Sequence, residues 1–312
     1  MAARNSRSAD TGGVKMVGQP VPLLELCLPD LPLYSRGKVR DIYDLGDRLL
    51  FVATDRISAF DVVLPTGIPQ KGRVLTQLSA FWFERTRHLV PNHLITADFA
   101  QFPPELQRFP ELAGRAMLVR KAQRIDVECV VRGYLAGSAW AEYRRSGTVH
   151  GRPLPPGMQE AQELDHPIFT PTTKAAAGHD QPLTEEELVR LVGPALAARL
   201  EEASIAVYQF AREHAARRGI IIADTKLEFG FIDGELALID ELLTPDSSRF
   251  WDAATYRVGG SPQSYDKQYV RDYLMAIGWN REPPAPELPP EVVARTTEKY
   301  LEALRRLTSE EG

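Results

Sequence analysis

Three ionisable side chains alternate along Asp224-Thr225-Lys226-Leu227-Glu228-Phe229-Gly230. In an extended strand a spacing of two puts Asp224, Lys226 and Glu228 on one face. The residues before them, Ile220-Ile221-Ile222-Ala223, are apolar at every position and read as a strand buried on both sides. A carboxylate–ammonium–carboxylate row emerging from such a strand is costly unless it binds something. A plain solvent-facing row is the alternative. Asp240-Glu241 closes a second apolar run, 236–239. Carboxylates at two neighbouring strand ends are what a Mg2+ bridging nucleotide phosphates requires.

Two further clusters suit phosphate. In Val131-Arg132-Gly133-Tyr134-Leu135-Ala136-Gly137-Ser138 an Arg leaves a strand and a Gly-Ser pair opens a helix. Free amides, a hydroxyl and a guanidinium at a helix start form a ready anion site. An ordinary Ser cap beside a surface Arg fits that stretch about as well. Ser35-Arg36-Gly37-Lys38-Val39-Arg40-Asp41 brings Gly and basic side chains to a hairpin entry. It lacks the ending of a Walker-type loop, and a solvated hairpin explains it equally. Thr244-Pro245-Asp246-Ser247-Ser248-Arg249 reads as a loop over a site or as a simple turn. The six histidines show no metal spacing, and no Ser or Cys sits in an elbow motif. Phosphate candidates, an acidic metal candidate and no activated nucleophile suit phosphoryl transfer, where positioning and electrostatics do most of the catalysis.

The elements that must position these groups follow from periodicity. Runs 39–45 and 48–54, joined at Gly46-Asp47, predict a hairpin. Val74, Leu75, Leu78, Phe81 and Trp82 predict a helix over 73–87. Strands are expected over 117–121 and 125–134, then a short helix capped by Ser138 and ending near Gly147. The Pro- and Gly-rich stretch 150–167 predicts a surface loop or lid. Thr184 and Glu187 form a capping box opening helix that breaks at Gly193-Pro194 and ends by Gly219. Asp233-Gly234 is a type I′ turn pair between strands 220–231 and 235–240. Helices over 263–277 and 290–307 close the chain. Strands and helices mix without regular alternation, so the expected class is α+β.

Composition bounds the rest. With 312 residues, 44% hydrophobic and 25% charged, the chain can bury a core and is not disordered or fibrous. Its formal charge of −5 and the absence of a basic stripe argue against nucleic acid. No apolar stretch is long enough to cross a bilayer. Cys27 and Cys129 are expected to be buried, reduced thiols. Residues 1–18 read as a disordered tail with no apolar signal segment, so a cytoplasmic location is expected.

The clusters occur within an ordered set of longer stretches. These include Ala53-Thr54-Asp55-Arg56-Ile57-Ser58-Ala59-Phe60-Asp61, Ile168-Phe169-Thr170-Pro171-Thr172-Thr173-Lys174-Ala175, Ser248-Arg249-Phe250-Trp251 and Ser264-Tyr265-Asp266-Lys267-Gln268-Tyr269-Val270-Arg271-Asp272. In these stretches, in order from 35 to 272, the chain resembles the SAICAR synthetases, ATP-dependent ligases of purine (IMP) biosynthesis. It departs from the family pattern at Ile125-Asp126-Val127-Glu128, where an apolar-Pro-apolar-Glu run is usual. It departs again among the alanines before His179, where an acidic residue is usual.

The resemblance implies a two-lobed ATP-grasp/kinase-like architecture. Residues 19–122 would form a β-rich N-terminal lobe covering the nucleotide, and 123–312 a mixed C-terminal lobe with the metal and ribonucleotide sites. It implies that ATP, as co-substrate with Mg2+, activates the carboxylate of 5-amino-1-(5-phosphoribosyl)imidazole-4-carboxylate for attack by L-aspartate. Carried over by position, Gly37, Lys38 and Arg40 cover the ATP phosphates, and Glu228 and Asp240 hold Mg2+. Lys226 and Asp224 order the reacting groups as the catalytic pair. Arg132, Ser138 and Arg249 grip the 5′-phosphate, Lys267 and Gln268 add substrate contacts, and adenine lies beside strand 117–122. The partners implied are small molecules, with no nucleic acid and no membrane, and a monomer is favoured. A small-molecule kinase of the same fold is the alternative, and a nucleotide-binding module without turnover is the reading from another class.

The metal assignment makes a demand on the second hairpin. A plain turn at Asp233-Gly234 pairs Glu228 with Ile239, so a continuing strand would put Asp240 on the opposite face. Two such carboxylates cannot share a Mg2+ whose ligands lie about 2.0–2.1 Å away. A bulge, with Gly230 as the candidate position, or departure of the chain from strand geometry before Asp240 is therefore expected.

Overall fold

The structure, a computed structural model, describes residues 21–174 and 181–309. The expected tail 1–18 and the stretch around His179 lie outside them. β1 (Leu33–Arg36) turns at Gly37-Lys38 into β2 (Arg40–Asp44), which turns at Gly46-Asp47 into β3 (Arg48–Ala53). A small hairpin of β4 (Ser58–Ala59) and β5 (Val62–Val63) precedes α1 (Lys71–Thr86). The predicted apolar stripe of α1 is buried at Val74, Leu75, Leu78 and Trp82. β6 (Leu94–Thr96), the single turn α2 (Pro104–Gln107) and β7 (Ala116–Arg120) complete an antiparallel sheet in the order β1-β2-β3-β7-β6.

At Lys121-Ala122 the chain passes into a second antiparallel sheet, beginning with β8 (Gln123–Tyr134). α3 (Gly137–Ser146) follows and ends at Gly147, whose φ of +71° is the left-handed conformation that glycine accepts most readily. The stretch read as an open loop is more ordered than that. β9 (Thr148–Val149) and β10 (Arg152–Pro153) form a hairpin, and β11 (Glu163–Phe169) pairs with β8. Proline-rich composition hid these pairings because short edge segments tolerate a missing amide.

β12 (Thr172–Thr173) also pairs with β8. α4 (Glu185–Val192) begins at the Thr184/Glu187 capping box, and α5 (Pro194–Ala216) restarts after Gly193. β13 (Ile220–Ile232) and β14 (Glu235–Ile239) form the second hairpin, with φ of +52° at Asp233 and +82° at Gly234, as a type I′ turn requires. β15 (Ser248–Asp252) pairs with the first half of β13, and β14 with the second half. α6 (Gln268–Ala276) is shorter than predicted because Ser264 and Tyr265 extend backbone pairing from β15. α7 (Pro290–Thr308) closes the chain.

The long strands β8 and β13 thus lie side by side at the centre of the second sheet, and α5 packs against both. Tyr208 of α5 donates to the Ile222 carbonyl at 2.7 Å. It fits only because residue 133 is glycine, since a Cβ there would lie 2.0 Å from the Tyr208 hydroxyl. One core runs from Phe51 and Val119 of the first sheet through α1 to Phe229 and Leu238 of the second. Cys129 is buried and unpaired as expected, whereas Cys27 is exposed because its segment skirts the first sheet. Among the described residues no helix is long and apolar enough to cross a membrane. The class is a mixed α/β fold built on antiparallel sheets.

Candidate active site

The period-two row on β13 is present, and β8 answers it. Asp224 lies opposite Arg132, Lys226 opposite Val130 and Glu228 opposite Glu128. The same alternation on β8 places Glu128, Val130 and Arg132 on that face. Lys226 Nζ donates to Glu128 Oε1 at 2.7 Å. Burial opposes the charge on Lys226, but Glu128, Glu228 and Asp240 outweigh it and hold its pKa above the ordinary lysine value. Asp224 accepts from Arg132 Nη1 at 3.1 Å and from Arg249, its neighbour on β15.

At the Asp224 end these two guanidinium groups meet the start of α3. Ala136, not Ser138, is the N-cap residue, and no side chain caps the helix. Ser138 is the second residue of the helix, and its hydroxyl accepts from Arg132 Nη2 at 3.2 Å. The expected Ser cap is therefore corrected: the helix starts at Gly137, so Ser138 lies inside it and its hydroxyl serves Arg132. Gly137 has φ +55°, and a Cβ on it would come within 2.1 Å of Arg249 Nη2. Close approach of Arg249 to the helix start thus depends on glycine. Uncapped amides, two guanidinium groups and a hydroxyl converge on one point, the arrangement that binds an anion.

A cavity of about 170 Å³ opens there, and Arg132, Ser138, Asp224, Lys226, Arg249 and Lys267 all line it. Gln268 does not. It begins α6, where its side-chain amide donates to Asp272 at 2.8 Å on the exposed side. Asp246, in the loop before β15, also lines the cavity and holds Lys267 Nζ at 3.2 Å.

At the other end of the row the ladder is regular through Glu228 opposite Ile239. Asp240 then leaves strand geometry with φ +65°. The departure that the metal assignment demands thus comes at Asp240 itself, while the hairpin pairing has no bulge and the register shift on β13 between Glu228 and Gly230 lies on its β8 side. Both carboxylates have Lys174 and Lys226 as neighbours. Burial and the facing Asp240 push the Glu228 pKa up, against the pull of both lysines. Burial pushes Asp240 up too, but Arg40, Lys174 and Lys226 outweigh it and hold it below the usual range. Lys174 donates to Glu228, and Arg40 to Asp240. Hard oxygen donors that repel each other and are covered by protein cations fit Mg2+, which takes one or two carboxylates and completes its shell with phosphate and water. Among the described residues no third His, Cys, Asp or Glu joins them into an all-protein cage.

The hairpin residues divide. Lys38 is exposed at the turn and pairs with Asp61, while Arg56 donates to the carbonyls of Gly37 and Lys38 at 3.1 Å each. Arg40 points inward onto Asp240, with Glu241 at 3.5 Å, so it stands at the metal candidate rather than at the hairpin tip. Sequence reasoning assigned no role to Lys174, Glu128 or Arg56. Glu128 had a usable signal, an acid alternating with Val127 and Cys129 on a strand beside the row, whereas Lys174 had none in its own segment.

Residues 33–286 match the family described as SAICAR synthetase. The phosphoribosylaminoimidazole-succinocarboxamide synthase of Thermodesulfovibrio yellowstonii is 54% identical over 288 residues, covering 92% of this chain and 99% of that protein. A SAICAR synthase from Saccharomyces cerevisiae, solved in complex with SAICAR, superposes with a TM-score of 0.85 at 45% identity, covering 93% of this chain and 99% of that one. A SAICAR synthetase solved with ADP superposes at 0.66 with 25% identity, covering 89% and 98%. By the match over residues 33–286 and by its identity to these synthases over nearly its full length, this chain belongs to the SAICAR synthetase family.

Proposed function

We propose that the chain joins L-aspartate to the carboxylate of 5-amino-1-(5-phosphoribosyl)imidazole-4-carboxylate at the expense of ATP, giving SAICAR, ADP and phosphate in purine biosynthesis. The observation that carries this reading is the continuous row on β13, from an anion clamp at Asp224 to a carboxylate pair at Glu228 and Asp240. Four residues of strand span about 13 Å, which separates a phosphate handle from a reacting centre. Membership of the family supports the same assignment.

The chemistry follows from the groups present. A ring carboxylate is a poor electrophile because oxide is a poor leaving group. Its oxygen attacks the γ-phosphorus of ATP, the bond to ADP breaks, and an acyl phosphate forms. The aspartate amine then attacks the acyl carbon, phosphate leaves with the electron pair of the C–O bond, and the nitrogen gives up a proton. Arg132, Ser138, Arg249 and the α3 amides hold the 5′-phosphate, which fixes the carboxylate at the far end of the row. Lys226, kept charged by Glu128, faces the negative charge that develops on transfer, with Asp224 ordering the clamp. Gly37 and Lys38 lie over the nucleotide phosphates, and Lys267 adds a cation to the cavity wall. Glu228 and Asp240 would hold Mg2+, which neutralises phosphate charge when bound, and Arg40 orients Asp240 for it.

In this reading residues 19–122 form the nucleotide-covering lobe and 123–312 the lobe carrying the metal and ribonucleotide sites, an ATP-grasp/kinase-like plan. The passage between sheets at Lys121-Ala122 supports that division. In this reading the enzyme works in the cytoplasm on small molecules.

Omitting each substrate in turn from an ADP-release assay tests the proposal. Release is expected only with ATP, the ribonucleotide and aspartate together. Full-rate release without aspartate would identify a kinase, and release indifferent to both acceptors would remove the ligase reading altogether.

A further inference from the structure

At and behind the cavity wall lies a buried cluster of which the chemistry just described uses Lys267 alone. Asp246 accepts from Lys71 Nζ at 2.7 Å, from Tyr300 at 2.8 Å and from Lys267 Nζ at 3.2 Å. Lys71 is fully buried at the start of α1, and Tyr300 is 1% exposed on α7. The Lys71 ammonium also stands 5.7 Å from the Tyr300 ring centroid. Three distant segments thus converge on one carboxylate in the loop between β14 and β15.

Structure alone does not call for this arrangement. Removing an ammonium from water is costly, and well-packed apolar groups in place of a buried ion pair often leave a fold as stable or more so. What an ion pair supplies and a hydrocarbon cannot is a charge held at a fixed point. That point is the cavity wall, which Asp246 lines together with Lys267 and Arg249. The same loop carries Ser248 and Arg249 onto β13. Lys226 N donates to the Ser247 carbonyl at 2.9 Å, and the Thr225 and Ser248 hydroxyls lie 2.8 Å apart. Whatever fixes Asp246 therefore also fixes the arm that delivers Arg249 to the anion clamp.

We infer that Lys71 and Tyr300 are positioning residues. From α1 and α7 they clamp Asp246, and through it they hold Lys267 and the Arg249 arm in the geometry that receives the ribonucleotide. The inference rests on the proposed identity of that ligand and goes beyond the residues that touch it. Lys71 and Tyr300 reach no substrate themselves. Without Lys71, Asp246 keeps Lys267 as its single ammonium partner and draws it out of the cavity wall. The effect falls on ribonucleotide binding and spares ATP, whose candidate residues lie at the other end of the row.

The test compares Lys71→Met, Lys71→Arg and Tyr300→Phe with wild type. It measures thermal midpoints, KM for each substrate, and calorimetric binding of the ribonucleotide with ATP and aspartate absent. Lys71→Met is expected to raise KM and Kd for the ribonucleotide about tenfold, the size of one charge-assisted contact, and Tyr300→Phe about threefold. Lys71→Arg, which keeps a cation on Asp246, restores part of that loss. KM for ATP stays within about twofold of wild type, the scatter of an uninvolved position. Variants that melt earlier yet keep ribonucleotide KM and Kd near wild type would overturn the inference and leave a purely structural cluster. If Lys71→Met does not fold, Tyr300→Phe decides the matter, since it removes one oxygen. The binding measurement needs no turnover, so it stands even if the ligase reading fails. A wild type that does not bind the ribonucleotide would overturn both.

Discussion

Asp224 is bound by Arg132 and by Arg249, and each guanidinium has donors left for a ligand. This sharing shapes what a single deletion does. Removing one arginine leaves Asp224 paired, so the fold survives, and the loss appears in anion binding. Arg249→Ala and Arg132→Ala are each expected to raise KM for the ribonucleotide tenfold or more, since a charge-assisted contact contributes about 1.5–3 kcal/mol. KM for ATP should hold. Steady-state kinetics with one substrate varied at a time will check this. A raised KM for ATP with an unchanged one for the ribonucleotide would assign these arginines to the nucleotide instead.

At the scale of elements, the site depends on how closely α5 and α3 approach the second sheet. Gly133 lies beneath the Tyr208 hydroxyl, and Gly137 beneath the Arg249 guanidinium. The first contact belongs to packing and the second to the candidate anion site. Gly133→Ala should therefore destabilise the protein by about 1–3 kcal/mol through overpacking. Adding Tyr208→Phe should relieve the clash while losing the bond to Ile222, a net contribution of about 1 kcal/mol, so recovery is partial. Denaturant midpoints of the single and double variants measure both effects. Full additivity of the two losses would show that the residues do not meet.

For the whole molecule the joint between the sheets is the sensitive region. His93 donates its amide to the Leu238 carbonyl at 3.0 Å, and its ring Nε2 lies 3.2 Å from the Asp240 carbonyl. Its ring packs edge-on to Phe51 and Phe83, with centroids 5.4 and 5.2 Å away. Burial pushes its pKa down to about 3, with Asp240 opposing and Arg40 assisting. The unfolded chain binds a proton near the ordinary value of about 6.5, so between these values it holds more protons than the folded chain. The contribution is whole above about pH 6.5 and is lost as pH falls toward 3, at up to roughly 1.4 kcal/mol per pH unit. His93→Gln, which cannot titrate, should flatten that part of the stability curve. Equal slopes for variant and wild type in chemical denaturation across this range would show that His93 charges freely in the folded state.

Much of this molecule is legible residue by residue. Alternation marked β13 and its charged face, helical spacing marked α1, and Thr184 with Glu187 marked the start of α4. Asp233-Gly234 specified the turn that sets Glu228 opposite Ile239. These are properties of neighbours in the chain, set by backbone sterics, side-chain period and local hydrogen bonds. The identity of each charge's partner is another matter. Arg40 reaches Asp240 across 200 positions, Lys174 covers Glu228, and Lys71 meets Asp246 and Tyr300 from three separate segments. Ser138 sits inside its helix rather than capping it, with its hydroxyl on Arg132 from β8. A period of two says which face a side chain takes, and only packing decides what that face meets. The row of charges was thus written in the sequence, while the pairing of Asp224 with two guanidinium groups and of Glu228 and Asp240 with Lys174 and Arg40 belongs to the tertiary structure, because segments distant in the chain supply those partners.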